Sequence, residues 1–183
     1  MKDQGVTLIE LLVVISVIGI LAVALGFSYV GWQGKYKVEK AAKDMHTDLM
    51  TARSMAMTRS RDYVVDFPTT TTYRVGEDTN ENGAIDAGEP LPTFPKRSEY
   101  VFNAFERDDA ALTTTTVVIT TVGIVFDKRG LISGDALFNP ETPTTGIIRL
   151  TSTADPDYDC ISISQTRIGM GKWNGATSVC DVK

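Results

Sequence analysis

"GVTLIELLVVISVIGILAVALGFSYVGW", residues 5–32, decides the architecture of this chain. From Leu11 to Val30, twenty residues run with only Ser16, Gly19, Gly26 and Ser28 breaking the apolar pattern. Coiled as a helix, such a run measures about 30 Å, the hydrocarbon thickness of a bilayer. A secretory signal has a shorter apolar core and then a small-residue cleavage site. Here the run is longer, and "QGKYKVEKAAKDMHTDLMTARSMAM" (33–57) continues it with more helix-forming sequence. The segment is expected to stay as a single-pass anchor. Glu10 is its anomaly. A carboxylate at membrane depth costs a few kcal/mol or more, which marks a functional residue that needs a partner.

Outward from the anchor, 183 residues leave room for one modest globular domain. A net charge of −5 argues against a dedicated nucleic-acid binder. Trp32 and Tyr29, followed by Lys35 and Lys37, suit a membrane–water interface, where amphipathic rings and long cations settle. Beyond Gly34, Val38, Ala42, Met45, Leu49, Ala52 and Ala56 recur at steps of four and three, one apolar stripe on a helix. Lys37, Lys40, Lys43, Asp44, Asp48 and Arg53 take its other faces, and the lone histidine, His46, reads as a helix-surface residue. With no proline before Pro68, one helix is expected from about residue 6 to 60, residues 6–34 in lipid and 35–60 packed on a domain.

From Arg61 the period changes. "RDYVVDF", "TTYRV", "TTTTVVITTVGIVFD", "TGIIRLTS" and "CISISQTRIGM" are rich in β-branched residues and bounded by Gly, Pro, Asn and Asp, as short antiparallel strands are. "VFDKRGLI" (125–132) reads as strand, turn and strand, and the threonine runs at 69–72 and 113–116 as edge or loop. "PLPTFPKRSEY" (90–100) holds three prolines and is excluded from helix. The expected fold class is α+β, a long N-terminal helix carrying a β-rich head over 61–183.

"GVTLIELLVVI" resembles the leader junction of type IV prepilins and type II secretion pseudopilins. The resemblance implies that residues 1–5 are a leader ending at Gly5, cut on the cytoplasmic side by a prepilin peptidase, and that Val6 becomes an N-methylated terminus. The family usually places Phe at the position of Val6, and often a mid-anchor proline that is absent here. It implies that Glu10 is the assembly acid, pairing with the Val6 amine of a neighbouring subunit and fixing the axial register between them. "DLMTARSMAMTRS" (48–60) is similar to the FimT/GspH subgroup. The implied setting is the inner membrane with a periplasmic head, and the implied partners are other pilin or pseudopilin subunits.

"DTNENGAIDAGE" (78–89) matches the EF-hand loop template at each position. Asp78, Asn80 and Asn82 would offer side-chain oxygens and Ala84 its carbonyl. Asp86 would bind directly or through water, and Glu89 through both oxygens. Gly83 permits the sharp turn, and Ile85 stands at the apolar anchor position. With Glu77 and Glu81 the stretch holds five acids, whose repulsion Ca²⁺ would relieve. Strand-like sequence before it and prolines after it place the loop on a β-hairpin; the plain alternative is a solvated acidic turn.

Cys160 and Cys180 lack the partners of a zinc site and are expected to form a disulfide outside the cytoplasm. No nucleophile–histidine–acid set or phosphate loop is legible, so an enzyme is not expected. Some FimT-like pilins carry a C-terminal G-R-x-R motif implicated in DNA uptake. "SQTRIGMGKW" (164–173) has only Arg167 and Lys172 there, too few cations for much phosphate affinity. The sequence therefore reads as a minor pilin or pseudopilin. A pilus-tip receptor for DNA or a surface, and an anchored calcium-binding protein outside any filament, stand as alternatives.

Overall fold

The computed structural model describes residues 6–91, 93–108, 112–133 and 144–183, without the side chains of 24–30, 93, 94, 133 and 144. The leader residues 1–5, Gly5 included, lie outside the described residues. Helix α1 spans Leu8–Arg59, 52 residues and about 78 Å of rise. It runs through Gly19, Gly26, Gly31 and Gly34 without a break. Thr7 caps its start, accepting the Glu10 N–H on its hydroxyl at 3.3 Å. At the other end Ser60 turns left-handed (φ 51°) and donates its N–H to the Ala56 carbonyl.

The two halves of α1 differ in burial. All six stripe residues from Val38 to Ala56 have no exposed surface. The described apolar side chains from Val6 to Val23 are exposed, with Leu8 at 82%. One amphipathic stripe thus docks the head along the second half, and the first half projects from it.

The head has two antiparallel sheets. The first contains β1 (Asp62–Thr69), β2 (Thr72–Asp78), β3 (Thr93–Arg97), β6 (Gly123–Phe126) and β7 (Ile132–Ser133), in the order β3-β2-β1-β6-β7. The second contains β4 (Val101–Asp108), β5 (Thr113–Val117), β8 (Thr144–Thr151), β9 (Cys160–Ile163), β10 (Ile168–Asn174) and β11 (Val179–Val182), in the order β11-β10-β9-β8-β4-β5. Strand alternation feeds one core. Tyr63, Val65 and Phe67 of β1, Phe102 and Ala104 of β4, Ile148 and Leu150 of β8, and Ile161 and Ile163 of β9 close over the helical stripe. The opposite face of the second sheet carries a separate cluster of Ile147, Cys160 and Cys180, with Phe105 and Trp173 packed against it.

Two stretches read as continuous strands are each divided. In 113–127, a 3₁₀ turn at Ile119–Thr121 buries Ile119 and sends β5 and β6 into different sheets. In 160–170, the chain reverses between Ser164 and Arg167 to pair β9 with β10. The turn read at 128–130 is present: the Gly130 N–H meets the Asp127 carbonyl at 2.7 Å, at a left-handed glycine (φ 74°). The Thr113 run is an edge strand of its sheet, and β3 is an edge strand holding Pro95, as proline in a sheet requires.

Candidate functional site

Glu10 occupies the third helical position behind the Thr7 cap, so Thr7-Leu8-Ile9-Glu10 is also a capping-box sequence. That signal is readable in the sequence and adds a local reason for an acid here, since a carboxylate near a helix N-terminus is favoured by the helix dipole. Glu10 and Val6 are both exposed. Among the described residues no helix is long and apolar enough to cross a membrane. The side chains of 24–30, which the sequence reading counts within the span, lie outside them. Where the helix leaves its apolar half, Trp32 and Tyr36 stack at 5.8 Å between ring centroids.

At the far end of the head, 78–89 forms the connection between β2 and β3, so the loop sits on a β-hairpin. Asp78 is buried, and its two oxygens accept the N–H groups of Asn82 (3.2 Å) and Gly83 (2.7 Å). The Asn80 and Asn82 amides both donate to Asp86 Oδ2, at 2.8 and 2.7 Å. Glu89 accepts the Thr79 N–H and hydroxyl on Oε1 and the Asp86 N–H on Oε2. These bonds, the Asp86 N–H foremost, hold the Glu89 carboxyl below the usual range. Gly83 is left-handed (φ 81°), and the Ala84 N–H donates to Asn82 Oδ1 at 2.9 Å. Ile85 packs with Val64 and Val125 and lies over Gly76, where a Cβ would stand 2.8 Å from Ile85 Cδ1.

Asn80 and Asn82 therefore meet at the Asp86 carboxylate and Glu89 at the Asp86 N–H, while Asp78 holds the backbone of Asn82 and Gly83. Among the described residues, however, no group of three or more acid, histidine or cysteine side chains is drawn together as a metal cage. Rotating the two amides would present oxygen in place of nitrogen at the same positions. Asp62, opposite Asp78 in the β1–β2 register, was missed by the sequence reading: strand pairing alone brings it beside the loop. Its Oδ1 is buried without a partner among the described residues. Burial pushes its carboxyl up, Lys128 opposes this, and Glu81, Asp78 and Asp127 add to it.

Cys160 and Cys180 are joined, with Cα atoms 5.9 Å apart. They lie on β9 and β11, either side of β10, so the sheet folds sharply across Gly171, which faces Cys160. A Cβ on Gly171 would meet the Asp181 carbonyl. The two basic residues considered for DNA are not brought together. Arg167 is exposed at the β9–β10 turn, and Lys172 lies about 17 Å further along the strand. Lys172 is held by Asp155 at 2.6 Å.

The sequence matches the family described as Type II transport protein GspH over residues 41–167, more than half its length. The chain belongs to the GspH family. Residues 1–26 also match the prokaryotic N-terminal methylation motif. Among solved structures, this GspH-family chain is similar to the type IV minor pilin FimU of Pseudomonas aeruginosa, at 17% identity and TM-score 0.46, covering 81% of this chain and 96% of that one. It is also similar to the minor pseudopilin EpsH from the type 2 secretion system of Vibrio cholerae, at 11% identity and TM-score 0.46, covering 74% of this chain and 97% of that one. No curated protein sequence matches it significantly.

Proposed function

We propose that this chain is a minor pseudopilin-type subunit with a structural, non-catalytic role. Its leader is removed after Gly5 by a prepilin peptidase, and residues 6–34 hold it in the inner membrane. It then enters a short filament in which Glu10 meets the freed Val6 amine of a neighbour. One observation carries this reading: a single helix whose second half buries one stripe on its own head while its first half offers an exposed apolar surface with one acid. That surface is complementary to lipid and to other helices of its own kind, and an ion pair made in hydrocarbon would relieve two costs at once. The disulfide supports a periplasmic head, since such bonds persist in oxidising compartments. The family match favours a type II secretion pseudopilus over a type IV pilus. Protein isolated from its native host should begin at an N-methylated Val6 and co-purify with sheared fibres. A chain that still begins at Met1 and stays out of the fibres refutes the proposal.

Loop 78–89 adds a calcium-binding element to the same subunit. Asp78, Asn80, Asn82, the Ala84 carbonyl, Asp86 and Glu89 would hold Ca²⁺, and the ion's charge would offset the repulsion among the acids. Calorimetry on the full chain should give one site that saturates at millimolar calcium and is lost in Asp86→Ala. An absence of heat at millimolar calcium excludes it.

A further inference from the structure

Between α1 and the β3–β4 connection lies a cleft of about 340 Å³. Lys37 and Lys40 line it from the helix, and Lys96, Arg97, Ser98 and Glu99 from the sheet side. Two of these cations are engaged. Lys96 Nζ sits 2.7 Å from both oxygens of Asp48, and Lys37 reaches Glu99 at 3.8 Å. Lys40 and Arg97 have no side-chain partner among the described residues. The cleft therefore presents two cations free of ion pairs among the described residues, Lys40 and Arg97, against one further carboxylate in its lining, Asp44, and its wall also holds the Ser98 hydroxyl and the Glu99 carboxylate as acceptors.

Its place on the helix suggests the ligand. Lys40 lies eight residues beyond Trp32, about 12 Å along the axis. Helical side chains tilt toward the N-terminus, so both lysines lean back toward the apolar half of α1. The head begins at this level: a Cβ on Gly34 would lie 3.7 Å from the Ala154 side chain. With the Trp32–Tyr36 pair at the membrane interface, as the anchored reading of the proposed function requires, the cleft opens within reach of the lipid headgroups.

We propose that this cleft binds the phosphodiester headgroup of an anionic phospholipid, of the phosphatidylglycerol type, while the subunit waits in the bilayer. Lys40 and Arg97 take the phosphate oxygens, the Arg97 guanidinium through its planar fork. Glu99 and Ser98 accept hydrogen bonds from the glycerol hydroxyls, which free phosphate lacks. The volume suits one headgroup, and the acids in the wall disfavour an extended polyanion.

The test uses the full chain reconstituted into nanodiscs of phosphatidylcholine and phosphatidylglycerol in equal parts, followed by mild detergent extraction and native mass spectrometry of retained lipid. Phosphatidylglycerol should dominate the retained lipid. Each basic side chain near an anionic surface contributes about fivefold, so Lys40→Gln with Arg97→Gln should reduce the enrichment by more than tenfold. Arg167→Gln, an exposed cation elsewhere, should leave it intact. Equal retention of both lipids, or enrichment surviving the double substitution, overturns the proposal. Loss of enrichment when inorganic phosphate is added at matching concentration assigns the cleft to a free anion and overturns the lipid assignment. A chain that inserts normally but shows no lipid preference defeats only the cleft, whereas failure to enter the bilayer defeats the anchored reading with it.

Discussion

Removing the Cys160–Cys180 bridge by paired Cys160→Ala and Cys180→Ala substitutions offers a quantitative check on how the second sheet is held. The cross-link closes a separation of 20 residues. On the loop-entropy account this restricts the unfolded chain by about 11 cal/mol/K, or about 3 kcal/mol at room temperature. Both sulfurs are buried, and alanine leaves no unsatisfied polar atom, so the entropic loss should dominate over the small void. The bridge lies beside Trp173, which stacks on Phe105 at 4.6 Å, so tryptophan fluorescence in a Trp32→Phe background reports on this region. Urea unfolding of the full chain in detergent micelles should show the double variant about 3 kcal/mol less stable. Reductant should reproduce that loss in the wild type and change nothing in the variant. A difference below about 1 kcal/mol would mean that strand pairing across β10 closes this sheet without the bridge.

Gly171→Ala should unfold this same sheet edge, because the added methyl would fall on the Asp181 carbonyl, a backbone atom; a cost above the usual 1–3 kcal/mol of overpacking is expected by the urea assay, and a neutral effect would show that β10 is free to move. Asp127→Asn tests the turn after β6. Burial alone would raise the Asp127 carboxyl, but hydrogen bonds from the Arg129 guanidinium and the Leu131 and Arg129 N–H groups outweigh it and lower it on balance. A carboxyl held low in the folded state stabilises fully above the ordinary carboxylate range and loses that contribution as pH falls through its folded value. The variant should therefore be less stable at neutral pH, and the difference should shrink in acid; parallel acid-unfolding curves would contradict this.

The helix was the most legible element. Its stripe from Val38 to Ala56 has the period of one buried face, and each of those six residues is fully buried. The β1–β2 hairpin and the 127–130 turn were readable from β-branched runs and from a glycine where the backbone turns left-handed. The division into two sheets was not. Ile119 and Val122 have strand-like side chains, and only their burial beneath β1 and β4, a tertiary effect, bends that stretch into a 3₁₀ turn. Strand β4 was overlooked because "VFNAFERD" mixes charged residues into a central position between β5 and β8. The reversal at Ser164–Arg167 contains no Gly, Pro or Asn to announce it. In the loop, residue order announced the template, whereas Asp62 became visible only through strand register.

The central claim is that the charge of Glu10, beyond its place in the helix cap, joins subunits. Glutamine preserves the capping-box position and removes the charge; alanine removes both. Glu10→Gln, expressed in the native host, should be trimmed after Gly5 and fractionate with the inner membrane, yet be missing from sheared filaments, as should Glu10→Ala. Recovery of Glu10→Gln in filaments at the wild-type level would assign the residue to helix capping alone and contradict the account.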